Sequence, residues 1–191
     1  MRSHFAKMHT LIPPGTSGNA TIDHFRIGKS EHDWSRIRAA VTGGREGVIQ
    51  MGIYARLTVN GATMMSDTQQ EHETNEDALF CATGDVLIVG LGLGMLFEAI
   101  VRKPDVTSVT VLEINPNVIK LVWQYVCHPK ATLVKADVFA WKPPKGVRWD
   151  YIWLDIWENS SDDTKKEAAA LKRKLRPYLR RGGRIHYWSI T

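Results

Sequence analysis

The second half of the chain alternates short apolar runs with amphipathic stretches of helical periodicity. Strands are predicted at 86–90, 109–112, 132–134, 151–154 and 184–188, and helices at 70–81, 95–101, 116–126 and 161–175. Such alternation is typical of an α/β fold, in which helices cover both faces of a parallel sheet. The predicted strand order, numbered from the run at 86–90, is 3-2-1-4-5, with a ligand at the switch between strands one and four.

The first third of the chain has a different pattern. Residues 21–27 alternate apolar and polar side chains, and a helix is expected at 30–41. Asn60-Gly61 lies between two further strand-like runs and is a strong signal for a tight hairpin turn. We therefore expect an N-terminal arm and β-hairpin segment at 1–66, followed by the main domain at 67–191.

The run at 86–90 leads into a loop with three alternating glycines, Gly90, Gly92 and Gly94. Alternating glycines let the backbone turn sharply, and they let a ligand lie against main chain without meeting Cβ atoms. The next strand ends in Glu113. In a parallel sheet this places a carboxylate at the same edge, where it can accept hydrogen bonds from a ribose. We therefore predict a nucleoside-containing cofactor that is held by these four residues.

The spacing of the glycines argues against a dinucleotide. The dinucleotide fingerprint requires a third glycine three residues after its second. Counting from Gly90 or from Gly92, that position holds Met95 or Phe97. The pattern G-x-G-x-G followed by an acidic strand end instead resembles the class I S-adenosylmethionine (SAM) dependent methyltransferases. This resemblance implies a Rossmann-like core that binds SAM, with the glycine loop facing the methionine moiety.

Two further acidic residues follow predicted strands. Asp137 matches the place of an acidic residue near the adenine in this family, although an aspartate after a short strand is also a common helix cap. Asp155 leaves strand four beside the glycine loop, where the reacting group of SAM would lie, and it can act as a general base. Trp157 offers an aromatic face to a cationic acceptor. Asp155 is the catalytic candidate, with capping of the following turn as the alternative.

The combined motifs resemble the spermidine synthase-like branch of this superfamily over residues 50–191. Leu93 occupies the place of the acid in the loop G-G-G-D-G of aminopropyltransferases, and Asp155-Ile156-Trp157-Glu158 replaces their D-S-S-D. The resemblance implies methyl transfer from SAM to a small, amine-bearing acceptor. Aminopropyl transfer from decarboxylated SAM, and SAM binding without catalysis, are the two alternatives.

The acceptor side of the site is the least defined by motifs. The sequence ends just past the fifth predicted strand, so strands six and seven of the family are expected to be absent. The N-terminal segment, or a second subunit in a homodimer, is then expected to complete the pocket. The candidate substrate-binding residues are Asp67, Glu71, Trp157 and Glu158.

Composition limits the remaining classes of function. Hydrophobic residues make up 43% of the chain, which suffices for a buried core, and no apolar run approaches the ~20 residues of a membrane span. The N-terminus lacks the apolar stretch of a secretion signal, and Cys81 and Cys127 lack metal-ligand spacing. We therefore expect a cytoplasmic protein without a metal site or membrane contact. The net charge of +5 is concentrated at 165–184 and is interpreted as a solvated helix face, with nucleic-acid binding as the less favoured alternative.

Overall fold

The computed structural model describes residues 4–43, 47–157 and 161–188. The N-terminal elements are α1 (Met8–Leu11), β1 (Gly15–Ser17), β2 (Ala20–Ile27), α2 (Lys29–Val41), β3 (Gly52–Val59) and β4 (Ala62–Ser66). The main domain contains α3 (Gln69–Cys81), β5 (Gly84–Val89), α4 (Met95–Val101), β6 (Val106–Glu113), α5 (Pro116–Val126), β7 (Ala131–Lys135), β8 (Trp149–Leu154), α6 (Asp162–Leu175) and β9 (Leu179–Tyr187). None of the helices in these residues is long and apolar enough to span a membrane.

The strands form two sheets. The first four pair antiparallel in the order β1-β2-β3-β4, and the last five pair parallel in the order β7-β6-β5-β8-β9. Asn60 and Gly61 join β3 to β4 with φ angles of 52° and 82°. Two successive positive φ angles are what a type I′ hairpin turn requires, so this turn follows directly from the local sequence.

The fold-class prediction requires correction in its strand count and strand order. From the sequence we expect an N-terminal strand at 21–27 with a hairpin, the order 3-2-1-4-5, and no strands six and seven. The structure contains strands β6 and β7, and its parallel sheet has the order β7-β6-β5-β8-β9. The difference arises because four strands precede the main sheet, so that the strand at 86–90 is the fifth of the chain. The shortest of them, β1, has three residues, too few for a periodic signal.

Both faces of the parallel sheet are covered, as is usual for parallel strands. Val86 and Ile88 of β5 belong to a hydrophobic cluster that includes α4 and residues of the N-terminal sheet. Leu87 and Val89 belong to a second cluster, which includes the apolar face of α6. The N-terminal sheet therefore packs against one side of the main domain and shares its core.

Side-chain caps fix where two helices of the main domain begin. At α5 the Asn115 Oδ1 accepts a hydrogen bond from the Asn117 N–H at 2.9 Å. At α6 the Ser161 Oγ accepts one from the Thr164 N–H at 3.1 Å. Such caps satisfy amide groups that lack partners in the first turn. At the first of these helices only two residues, Ile114 and Asn115, separate the end of β6 from the start of α5.

Candidate active site

A cavity of about 510 Å³ opens between the N-terminal sheet and the carboxyl ends of the parallel strands. Its apolar wall comes from β3 and β4 and consists of Leu57, Val59, Met64 and Met65. The opposite wall comes from the ends of the parallel strands and the loops that follow them. The sequence-predicted residues that line this cavity are Glu71, Gly90, Gly92, Glu113, Asp137, Asp155 and Trp157.

The three glycines of the loop have different roles. Gly90 has a φ of 101°, and a Cβ there would collide with the backbone carbonyl oxygen of Asp155. Gly92 has a φ of 52°, and a Cβ there would lie 2.5 Å from the sulfur of Met65. Gly94 packs instead against α5, where a Cβ would lie 3.1 Å from Val126, and it is not among the residues that line the cavity. Two of the three glycines are therefore at the cavity, and the third allows close helix packing.

The Glu113 carboxylate is held in position by two backbone amides. Its Oε2 accepts a hydrogen bond from the Leu91 N–H at 2.9 Å, and its Oε1 accepts one from the Asn115 N–H at 2.7 Å. An ionised carboxylate offers about four acceptor positions, so both oxygens retain capacity for a ligand. The strand-end acid thus links the glycine loop to the loop after β6 and borders the cavity.

The loop after β7 forms another side of the cavity. The Asp137 Oδ1 accepts a hydrogen bond from the Phe139 N–H at 2.8 Å, so Asp137 does cap its own turn while it lines the cavity. The Lys174 ammonium donates to the carbonyl oxygens of Val138 and Phe139, each at 2.7 Å, and so ties this loop to α6. The loop after the neighbouring strand β6 contributes Ile114, a lining residue that sequence reasoning missed. The sequence feature that could have identified Ile114 is its position directly after the strand-end acid Glu113.

Ile114 and Phe139 are large apolar side chains with 62% and 47% exposure. Exposed apolar side chains in a concave site are typical of surfaces that take up the flat face of a ligand. Together with the neighbouring Asp137, they give this end of the cavity an apolar and hydrogen-bonding character suited to a planar base.

Glu71 and Asp155 form an acidic pair at the other end of the cavity. Burial raises the pKa of Asp155 from 3.8 to about 6. Burial and the negative charge of Asp155 raise the pKa of Glu71 from 4.5 to about 7, and a hydrogen bond from the Ser66 backbone acts in the opposite direction. Carboxyl groups with raised pKa values in a cleft are typical of sites where protons or cations are handled.

Asp67 lies outside the cavity and has a structural role. Its Oδ2 accepts a hydrogen bond from the Met8 N–H at 2.6 Å, and its Oδ1 accepts one from the Ala55 N–H at 2.6 Å. The residue is 2% exposed and is not among those that line the cavity. Its carboxylate therefore ties α1 to β3, which a sequence pattern alone does not reveal.

The two remaining predicted residues follow β8. Trp157 lines the cavity, and its Nε1 donates a hydrogen bond to the Glu167 Oε2 of α6 at 2.8 Å. Its ring meets Tyr187 edge to face, with the ring centroids 6.0 Å apart. Glu158 lies outside the described residues. Trp157 therefore lines the cavity while contacts to α6 and β9 hold its ring in place.

The ionisable side chains described in the cavity lining are all acidic. Four acidic residues line it, namely Glu71, Glu113, Asp137 and Asp155, and within the described residues its lining includes no lysine, arginine or histidine. A cleft lined by charges of one sign raises the local concentration of ligands of the opposite sign. The site therefore favours a ligand that carries positive charge, such as a sulfonium or an ammonium group.

No family model matches this chain. Among curated proteins, polyamine aminopropyltransferase 1 of Streptomyces coelicolor is 26% identical over 162 residues, which cover 71% of this chain and 30% of that protein. The chain is similar to the class I SAM-dependent transferases. This likeness confirms the resemblance predicted from the sequence. The chain spans only 30% of the length of this relative.

Solved structures of related architecture include the N-methyltransferase NodS from Bradyrhizobium japonicum in complex with S-adenosylhomocysteine. It is 18% identical, with a TM-score of 0.49, over 62% of this chain and 60% of that chain. Spermidine synthase from Thermotoga maritima is 20% identical, with a TM-score of 0.46, over 76% of this chain and 48% of that chain. These likenesses concern the fold alone.

Proposed function

We propose that this protein is a SAM-dependent transferase that methylates a small, amine-bearing acceptor. One observation carries the proposal: a single cavity at the carboxyl edge of the parallel sheet combines a strand-end Glu113 with the acidic pair Glu71 and Asp155. The first residue suits a ribose, and the pair suits cationic groups. The curated relative is itself an aminopropyltransferase, which supports a reaction at an amine.

The chemistry of the lining residues supports one orientation of the donor. The ribose hydroxyls would bond to Glu113, and the adenine would lie between Ile114 and Phe139, where Asp137 can accept a hydrogen bond from its amino group. The sulfonium end would then extend past Gly92 toward Asp155. In this orientation the positive charge of the donor lies at the acidic end of the cavity, where its interaction with the carboxylates is favourable.

The chemistry follows from the acidic pair. The acceptor amine enters as an ammonium ion, which the carboxylates of Glu71 and Asp155 attract. Asp155 takes a proton from this group, and the freed nitrogen lone pair attacks the methyl carbon of the sulfonium. The bond from carbon to sulfur breaks, its electron pair stays on sulfur, and S-adenosylhomocysteine leaves. A pKa of about 6 keeps Asp155 largely ionised at neutral pH, while its carboxyl form stays accessible.

A second candidate is aminopropyl transfer from decarboxylated SAM to a diamine. The observation in its favour is that no basic side chain lines the cavity within the described residues, so a donor carboxylate would have no cationic partner there. Leu93 argues against it, because this residue occupies the place of the aminopropyltransferase loop acid and is fully buried in the core. Methyl transfer therefore stays the leading proposal.

Product analysis separates these functions. The protein would be incubated with SAM or decarboxylated SAM and a panel of monoamines and diamines, and the products would be identified by mass spectrometry. A methylated amine that disappears in Asp155→Asn, but persists in the exposed control Asp163→Asn, supports the proposal. Methylthioadenosine formed only with decarboxylated SAM and a diamine supports the second candidate.

Binding assays test the cofactor independently of catalysis. Isothermal titration with SAM, S-adenosylhomocysteine and NAD should detect the first two ligands and give no signal for NAD. Binding of SAM without consumption of any acceptor would refute both transferase functions and leave a non-catalytic SAM-binding protein. Micromolar binding of NAD without binding of SAM would refute the cofactor assignment itself.

A further inference from the structure

The side chain of Met65 lies directly on the glycine loop. Its sulfur accepts a hydrogen bond from the Leu93 N–H, with a nitrogen-to-sulfur distance of 3.0 Å. The same sulfur would be 2.5 Å from a Cβ at Gly92, so only a glycine leaves room for it. The Met65 sulfur therefore covers the exposed backbone at Gly92 and is the hydrogen-bond acceptor for the Leu93 N–H.

An irregularity in the N-terminal sheet brings Met65 there. Successive residues of a strand normally point to opposite faces of the sheet. The pairing of β3 with β4 shifts between Leu57 and Thr58, where Met65 pairs with Leu57 and Thr63 pairs with Thr58. Met64 is the extra residue at this bulge, and both Met64 and Met65 line the cavity. A bulge of this kind re-aims side chains next to functional sites.

The thioether is a weak and movable partner for the Leu93 amide. Methionine sulfur is a weak hydrogen-bond acceptor, and the side chain has three rotatable bonds. A carboxylate is a stronger acceptor, because hydrogen bonds to an ionised oxygen are roughly twice as strong as neutral ones. A ligand that brings a carboxylate to this loop can therefore displace the sulfur.

We propose that Met65 is a specificity-determining residue that competes with the amino-acid end of the donor for the glycine loop. The inference rests on the proposed function, since it assumes that an adenosyl donor binds with its ribose at Glu113. A donor with a methionine moiety displaces the Met65 side chain, whereas a nucleoside that lacks this moiety leaves it in contact with Leu93. Met65 thereby lowers the affinity for the first class of ligand selectively.

The test compares two ligands and three proteins. S-adenosylhomocysteine carries the amino-acid end, and methylthioadenosine lacks it. In Met65→Ala the affinity for S-adenosylhomocysteine should rise about three- to tenfold, the equivalent of one net hydrogen bond, while the affinity for methylthioadenosine changes by less than twofold. Met64→Ala, from the neighbouring position of the same cavity wall, should change both affinities by the same factor.

A measurement on the unaltered protein covers the case in which Met65→Ala does not fold. With methyl-¹³C methionine, the chain gives six methyl signals, and Met65→Leu assigns the one from Met65. S-adenosylhomocysteine should move this signal, and methylthioadenosine should leave it in place.

Equal affinity changes for both ligands in Met65→Ala, or a Met65 signal that responds equally to both, would overturn the inference while leaving the proposed function intact. Failure of both ligands to bind the unaltered protein would overturn the proposed function, and this inference with it.

Discussion

Replacing Glu71 by glutamine tests the electrostatics of the acidic pair while preserving the shape of the cavity. Burial and the negative charge of Asp155 raise the pKa of Glu71 from 4.5 to about 7. Glutamine has nearly the same size and can still accept the hydrogen bond from the Ser66 backbone, but it does not ionise. The substitution therefore removes one partly buried negative charge and changes little else.

The sign and size of the effect follow from the pKa. An acid with a higher pKa in the folded than in the unfolded protein binds more protons when folded, so the protein loses stability as the pH rises. For Glu71 this loss begins near pH 4.5 and is complete above about pH 7. At 1.36 kcal/mol per pKa unit, the loss reaches about 3 kcal/mol at most. Glu71→Gln should stabilise the protein by up to that amount at about pH 8, and hardly at all at about pH 4.

Urea denaturation at the two pH values measures this difference directly. For a domain of this size, a gain of 1 kcal/mol corresponds to about 2–4 °C in Tm, so thermal unfolding at about pH 8 should shift upward by about 6–12 °C at most. Glu76→Gln removes an exposed acid from the same helix and serves as the control. Equal stabilisation at both pH values, or a loss of stability at the higher one, would refute the reasoning.

Three further predictions concern the site and its surroundings. Glu113→Ala should weaken SAM binding by about ten- to a hundredfold in isothermal titration, since charge-assisted hydrogen bonds contribute about 1.5–3 kcal/mol each; unchanged affinity in a folded variant would show that this acid does not hold the ribose. Transfer activity should rise with pH between about 6 and about 7, as Asp155 and then Glu71 ionise, and then level off, and a flat profile would contradict a role for Asp155 as base. RNA and DNA should bind weakly in anisotropy titrations at two salt concentrations, because Lys165 and Lys166 pair with acids of their own helix and Lys174 is bonded to backbone carbonyls. Tight binding that falls steeply with salt would favour a nucleic-acid substrate.

The residues that could be assigned from the sequence belong to local patterns. Gly90 and Gly92 follow β5, Glu113 is the last residue of β6, and the carboxyl ends of parallel strands meet at one edge of the sheet. These three residues could be placed at one cavity from the sequence, because strand periodicity locates the strands and the long connections between them make the strands parallel. The tight turn at Asn60-Gly61 is equally local, because two positive φ angles select these residue types.

Other features depended on pairings between distant segments. Asp67 and Glu71 are four residues apart, yet Asp67 binds the backbone of α1 and β3, whereas Glu71 lines the cavity beside Asp155. No sequence pattern separates these two acids, because the difference depends on how the N-terminal arm packs. The raised pKa of Glu71 has the same origin, since both the burial and the nearby charge come from tertiary structure.

The N-terminal sheet and Met65 show most clearly what a sequence pattern cannot predict. The sequence predicted a strand at 21–27 and a hairpin at Asn60-Gly61, whereas the structure joins them with β1 in one four-stranded sheet. Strands β3 and β4 of this sheet supply one apolar wall of the cavity. The bulge at Met64 then turns Met65 onto the Leu93 amide. Strand periodicity determines which residues of a strand share a face. Register shifts and contacts between the two sheets depend instead on packing over the whole fold, and they decided which side chains reach the glycine loop.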